Sequence, residues 1–137
     1  RHEAIGLIVD RAAKYLSHVE GQREAEGVDA TLTAAAKRGK GAAGLDASLE
    51  ATNRGAVHRL YLLKGWSAPG RRCGGCGALR GGFSWTCPTC GGEMVTVELG
   101  EVMAERVVAA GGTVETIEVH QPLAAAGGVA AELRYPL

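Results

Sequence analysis

Aromatic side chains are scarce in this 137-residue chain: one Phe, two Trp and three Tyr. Any core must therefore be built from Val, Leu, Ile and Ala, with Gly supplying turns. An excess of charge of either sign is also missing. Fifteen basic residues balance fifteen acidic ones, which excludes the chain as a whole from binding nucleic acid by bulk electrostatics. No apolar run approaches the length of a membrane span and no secretory leader is visible, so no membrane association is expected. The glycine pairs Gly74-Gly75, Gly81-Gly82 and Gly111-Gly112 lack the following Gly-Lys-Ser/Thr of a phosphate loop. Ser17, Ser48, Ser67 and Ser84 lack a nucleophile elbow. His2, His18, His58 and His120 are scattered, and a satisfied or surface histidine is the expectation for His58. No catalytic residue is assigned. The length suits one domain spanning 1–137. The first residue is Arg1 rather than Met, and the chain is read as a fragment of a longer protein.

Four cysteines are present, and their spacing is informative. Cys73-Gly-Gly-Cys76 and Cys87-Pro-Thr-Cys90 are separated by ten residues, and each pair is followed by glycine, Gly77 and Gly91. A Cys-x-x-Cys turn aims both sulfurs at one point, and the glycine lets backbone amides face the thiolates without a Cβ clash. Two such turns supply four thiolates in a tetrahedron. That set fills the coordination of zinc and leaves no open position for substrate. The expectation is a structural zinc bound by Cys73, Cys76, Cys87 and Cys90 in an inserted ribbon over 71–93. A disulfide framework fits poorly, because the cysteines form one local cluster. A thioredoxin-like redox site would use one such pair at a helix start. Reduced cysteines with a zinc point to the cytoplasm.

Charge is distributed unevenly. From Lys64 to Gly92 the charged residues are Lys64, Arg71, Arg72 and Arg80, with no acid; from Glu93 to Glu118 six acids face one base, Arg106. A zinc held by four thiolates carries a formal charge of about −2, which alone favours nearby Arg. Trp66, Phe83 and Trp85 flank the cysteines and are expected to cover the metal. An exposed aromatic beside Arg71, Arg72 and Arg80 is the competing reading, a surface for stacking RNA bases.

Periodicity places the remaining elements. Ile5, Ile8, Ala12, Leu16 and Val19 predict a first helix, and Val28, Leu32 and Ala35 a second over 22–37. Residues 38–41 read as a loop. A short helix is expected over 46–54, with Asp46 as N-cap and Gly55 just past its end. Residues 56–63 read as a central strand covered on both faces. After a short strand or ribbon stem at 94–97, a helix is expected over 98–110, with Met103, Val107 and Ala110 on one face, then a β-branched strand over 113–119. Residues 120–128 read as a loop and 129–135 as the last strand. This order predicts a three-layer α/β/α sandwich with a mixed sheet and the zinc ribbon inserted in place of a turn.

Two stretches carry a family resemblance: Gly44 to Leu62, in which a helix ends in Gly55-Ala56-Val57 and passes into an apolar strand, and the closing Gly127-Gly128-Val129-Ala130-Ala131-Glu132-Leu133-Arg134-Tyr135. With the four cysteines between them, they resemble the C-terminal domain of archaeal and eukaryotic class I peptide chain release factors and the related Pelota proteins, a group with bacterial relatives. The resemblance implies a non-catalytic domain that docks a translational GTPase and associates with the ribosome. Peptide release in that family depends on a Gly-Gly-Gln loop in a preceding domain, and no Gly-Gly-Gln occurs here. The alternative is an RNA-binding module, or a domain of a ribosome hibernation or rescue factor, with the ribbon touching ribosomal RNA through Arg71, Arg72 and Arg80. The same fold type serves kink-turn RNA binding in ribosomal proteins, whose recognition helix opens with Gly-Asn-Glu followed by Lys. Here Leu45 and Leu49 stand where the Asn and Lys would be. Leucine offers no hydrogen bond to bases or phosphate, so kink-turn binding is not expected.

Overall fold

The computed structural model describes residues 22–82 and 85–137. The predicted first helix, with His2, Ser17 and His18, lies outside these residues, as do Phe83 and Ser84. In chain order the elements are α1 (22–36), β1 (Gly41–Ala43), α2 (Leu45–Asn53), β2 (Val57–Leu63), β3 (Pro69–Cys73), β4 (Leu79–Gly81), β5 (Met94–Glu98), α3 (Leu99–Ala109), β6 (Thr113–Ile117), α4 (Gln121–Ala125) and β7 (Val129–Leu133).

Four strands form one mixed sheet in the order β1-β7-β2-β6, with β2 parallel to β6 and antiparallel to β7. Side-chain alternation then decides the layers. Leu60 and Leu62 of β2, with Val129, Ala131 and Leu133 of β7, join Leu49 and Ala51 of α2 and Met103 and Val107 of α3 in one cluster. The intervening residues Tyr61, Leu63 and Ala130 point the other way, to Val28 and Leu32 of α1 and Leu123 of α4. Helices therefore cover both faces of the sheet, as expected from a central strand that reads apolar throughout.

The local differences from the expected elements have physical causes. Asp46 is not the N-cap of α2 but sits in its first turn; the cap is Gly44 at φ 85°, with no side-chain capping bond. Gly44 donates to Val129 O and accepts from Ser48 N, so one residue turns the chain from strand to helix. That left-handed backbone favours glycine over aspartate. Gly41 belongs to a strand because it pairs with Glu132 of β7. The expected loop at 120–128 contains α4: Pro122 enters its first turn, and His120 Nδ1 accepts from Leu123 N at 3.1 Å.

Three strands, in the order β4-β3-β5, make a second, antiparallel sheet that carries the cysteines. It is tied to the core at two places. At its base, Glu98 accepts hydrogen bonds from Ala68 N at 3.0 Å, Gly100 N at 2.9 Å and Glu101 N at 2.6 Å. At its edge, Asn53 at the end of α2 donates to Leu79 O and accepts from Leu79 N, both at 2.8 Å. Leu79 and Leu99 are fully buried in the α2/α3 cluster, with Val97 and Ala68 packed against it. The ribbon sheet thus shares the main core, and its lower half is no simple replacement for a turn.

Two predictions follow from this packing. A Cβ at Gly41 would collide with the Thr31 carbonyl and lie 2.7 Å from the Ala35 nitrogen, so Gly41→Ala is expected to cost about 1–3 kcal/mol, seen as a lower urea midpoint with an unchanged slope. At Glu98, burial pushes the carboxyl up, but the amides of Glu101, Ala68 and Gly100 outweigh it and hold the group below its ordinary range. A depressed carboxyl stabilises the fold above its unfolded value of about 4.3 and loses that contribution as pH falls through the folded value. Glu98→Ala is therefore expected to lose about 0.5–2 kcal/mol at pH 7, and the gap from the parent chain should narrow in urea melts repeated at progressively more acidic pH. A gap that stays constant on acidification would contradict this.

Candidate metal centre

The ribbon brings all four cysteines together, with their Sγ atoms within 4.8 Å of one another. Cys73 Sγ lies 3.3 Å from Cys90 Sγ, and Cys76 Sγ lies 3.7 Å from Cys87 Sγ. For comparison, a zinc–sulfur bond of about 2.3 Å gives a tetrahedron with sulfur–sulfur edges of about 3.8 Å. Each pair sits in a turn closed by a backbone bond from the glycine that follows it. Gly77 N reaches Cys73 O at 3.0 Å, and Gly91 N reaches Cys87 O at 2.8 Å. Both glycines adopt positive φ, 76° and 74°, which is why the spacing Cys-x-x-Cys-Gly recurs.

Amides point at the sulfurs. Gly75 N and Cys76 N each lie 3.3 Å from Cys73 Sγ, and Gly92 N lies 3.4 Å from Cys90 Sγ. The amides of Cys90 and Thr89 lower the Cys87 thiol to about 6, and that of Cys76, chiefly, lowers Cys73. At Cys90 the Gly92 amide pulls the same way, but the Cys73 and Cys76 sulfurs outweigh it and raise the thiol to about 11. So the turns favour thiolate, while crowding keeps the last proton on. A bound dication resolves that conflict, because each thiolate then faces positive charge instead of its neighbours. The donor set fits a soft or borderline metal ion and offers no carboxylate or imidazole among the described residues.

The centre is half-covered. Cys73 and Cys87 are buried with Met94, and half-buried Ala78 packs against them, while Cys76 and Cys90 are exposed. The expected aromatic cover differs from what is found. Trp66 turns away from the cysteines into the α2/α3 cluster, so close to Gly128 that a Cβ there would lie 2.5 Å from the indole. Trp85 stays 65% exposed, with the Arg71 guanidinium 3.7 Å from its ring centroid. Of the three arginines, Arg71 is buried and bonds Thr96 Oγ1, Arg72 is exposed, and Arg80 donates to Thr89 Oγ1 at 2.8 Å.

Away from the ribbon, His58 is exposed, and His120 caps α4 and reaches Asp29 at 3.0 Å. Leu49 is buried and Leu45 packs against the core, so neither is free to contact RNA. Asn53 and Glu98, which position the ribbon, were not legible as site residues. Glu98 before an apolar helix is an N-cap signal, but the partner of Asn53 lies 26 residues away. Among the described residues no helix is long and apolar enough to cross a membrane.

No known protein-family profile and no curated protein matches the chain. Solved structures do. The C-terminal domain of peptide chain release factor from Methanosarcina mazei superposes with a TM-score of 0.67 at 21% identity, covering 100% of this chain and 97% of that one. Archaeoglobus fulgidus Pelota matches with a TM-score of 0.60 at 22% identity over 89% of this chain, and S. cerevisiae Dom34 with 0.57 at 18% over 91%. This chain spans 32% and 30% of the latter two, about a third of their length. Dom34 is described as a translation termination-like factor involved in RNA quality control and interacting with Hbs1. The resemblance carried by Gly44–Leu62 and Gly127–Tyr135 and the likeness in three dimensions point to the same proteins, and the fold of this chain is that of the release-factor and Pelota C-terminal domains.

Proposed function

We propose that this chain is a non-catalytic domain of a release-factor-like or Pelota-like translation protein, one that docks a translational GTPase and helps its parent associate with the ribosome in the cytoplasm. The observation that carries this reading is the end-to-end match to the M. mazei release-factor domain, which accounts for core and ribbon together. Two facts support it. The sequence contains no Gly-Gly-Gln, the loop that the resemblance assigns to peptide release. Dom34, which shares the fold, interacts with Hbs1. The four thiolates would saturate a metal ion and leave no position for substrate, which suits a binding role.

Zinc is the metal proposed, held by Cys73, Cys76, Cys87 and Cys90, with a structural purpose. Bound, it would neutralise the crowded thiolates and fix the two turns of the ribbon tip. One zinc per chain is expected by elemental analysis of protein purified without added metal. Cys73→Ser should lose it and expose the tip amides to hydrogen exchange, while the helices over 45–53 and 99–109 keep their circular dichroism. A metal-free parent chain, or complete unfolding of the variant, would contradict the assignment.

Docking is tested with the zinc-loaded chain as bait in lysate of its source organism. Enrichment of a translational GTPase, identified by mass spectrometry and competed by free domain, is expected. Recovery of no GTPase would remove the reading.

A further inference from the structure

The outer face of the ribbon sheet carries two arginines beside an exposed indole. Arg71 of β3 stands directly opposite Arg80 of β4 and Thr96 of β5. Cross-strand partners project to the same face, so the two arginines and the threonine form one row. The Arg71 guanidinium is held by Thr96 Oγ1 and stacked on Trp85. Arg71 itself is only 6% exposed, whereas Trp85 is 65% exposed. One face of the indole is therefore occupied by a fixed cation, and the opposite face is open to solvent. Arg80 beside it is braced by Thr89. Arg72 alternates to the other face, opposite Leu79 and Val95.

We propose that Trp85, backed by Arg71 and flanked by Arg80, is a stacking platform for an unpaired base of single-stranded RNA. Three features select that occupant over a protein surface. Among the described residues, the large apolar side chains exposed elsewhere lie away from the Arg71–Thr96 row or, like Val95, are out of step with it, so within that set Trp85 is a flat ring outside any apolar patch. Every nucleobase has a π-face, and stacking on an aromatic ring is tolerant of sequence. The stretch from Lys64 to Gly92 holds four bases and no acid, which suits a phosphate next to the stacked base. Arg71 contributes by fixing the plane of the ring in advance, which lowers the ordering cost of binding. The ring and its arginines are not among the four sulfur donors of the metal centre.

The test is fluorescence anisotropy of a labelled single-stranded RNA decamer titrated with zinc-loaded chain at low salt, beside a duplex of equal length. Trp85→Ala should weaken single-strand binding by about tenfold or more, the range seen for loss of one stacked base, while Trp85→Phe retains most of it. Arg80→Ala should weaken binding more than Arg72→Ala, which removes the same charge from the opposite face. Quenching of tryptophan fluorescence on RNA addition should disappear in Trp85→Phe, where Trp66 is the remaining indole. Zinc content shows that each variant is folded. Absence of binding, equal affinity for duplex, an unaffected Trp85→Ala, or equal effects of Arg72→Ala and Arg80→Ala would overturn the proposal. Loss of GTPase capture in Trp85→Ala with RNA binding intact would reassign the ring to a protein contact.

Discussion

The carboxylate of Glu98 accepts three backbone hydrogen bonds, and the placement of the ribbon on the core follows from them. Two of the donors, Gly100 and Glu101, open α3; the third, Ala68, begins the ribbon. Leu99 N returns a bond to Ala68 O at 2.8 Å, so entry and exit of the insertion are fastened to one point. Gly70 makes the approach possible, because any Cβ there would overlap the Leu99 side chain. Leu99 is fully buried between the two sheets. The helix that crosses back to start β6 is thus aimed by the same residue that holds the ribbon.

A second fastening, between Asn53 and Leu79, makes the ribbon an extension of the core and not a tethered appendage. An amide side chain matches a backbone amide in both donor and acceptor, and here it closes the free edge of β4 against α2. Leaving those groups unpaired would cost about 1–3 kcal/mol. At the far end the described apolar packing is small, Met94 and Ala78 around the buried cysteines, with the Arg71–Trp85 stack and the Arg80–Thr89 bond beside it. A metal held by the four cysteines would brace this end, a common solution for small lobes without room for a hydrophobic centre. The result would be a rigid surface projecting from a three-layer core, suited to recognition.

How much of this could be read from the chain depends on how local each signal is. The cysteine turns were legible because Cys-x-x-Cys-Gly encodes its own geometry. Helices α1 to α3 and β2 were legible because both faces of the sheet are covered, leaving an apolar run at 60–63 and a 3.6-residue stripe at Met103 and Val107. β1 was not, since Gly41-Ala42-Ala43 has no pattern of its own and becomes a strand through β7. α4 is five residues long, too short for periodicity to register. Trp66 stands seven residues before Cys73 in sequence, yet the fold carries it back to Gly128; proximity along the chain misled where a distant contact decided. The overall likeness to release-factor and Pelota domains survives at 18–22% identity, because it rests on such patterns and not on shared residues throughout.

Core and ribbon together are proposed to form a docking module for a translational GTPase. Calorimetric titration of the organism's purified translational GTPases into the zinc-loaded chain tests it most directly. Saturable, one-to-one binding to one of them that survives Trp85→Ala is expected. No measurable heat with any of them, while the chain holds its zinc and its fold, would contradict it.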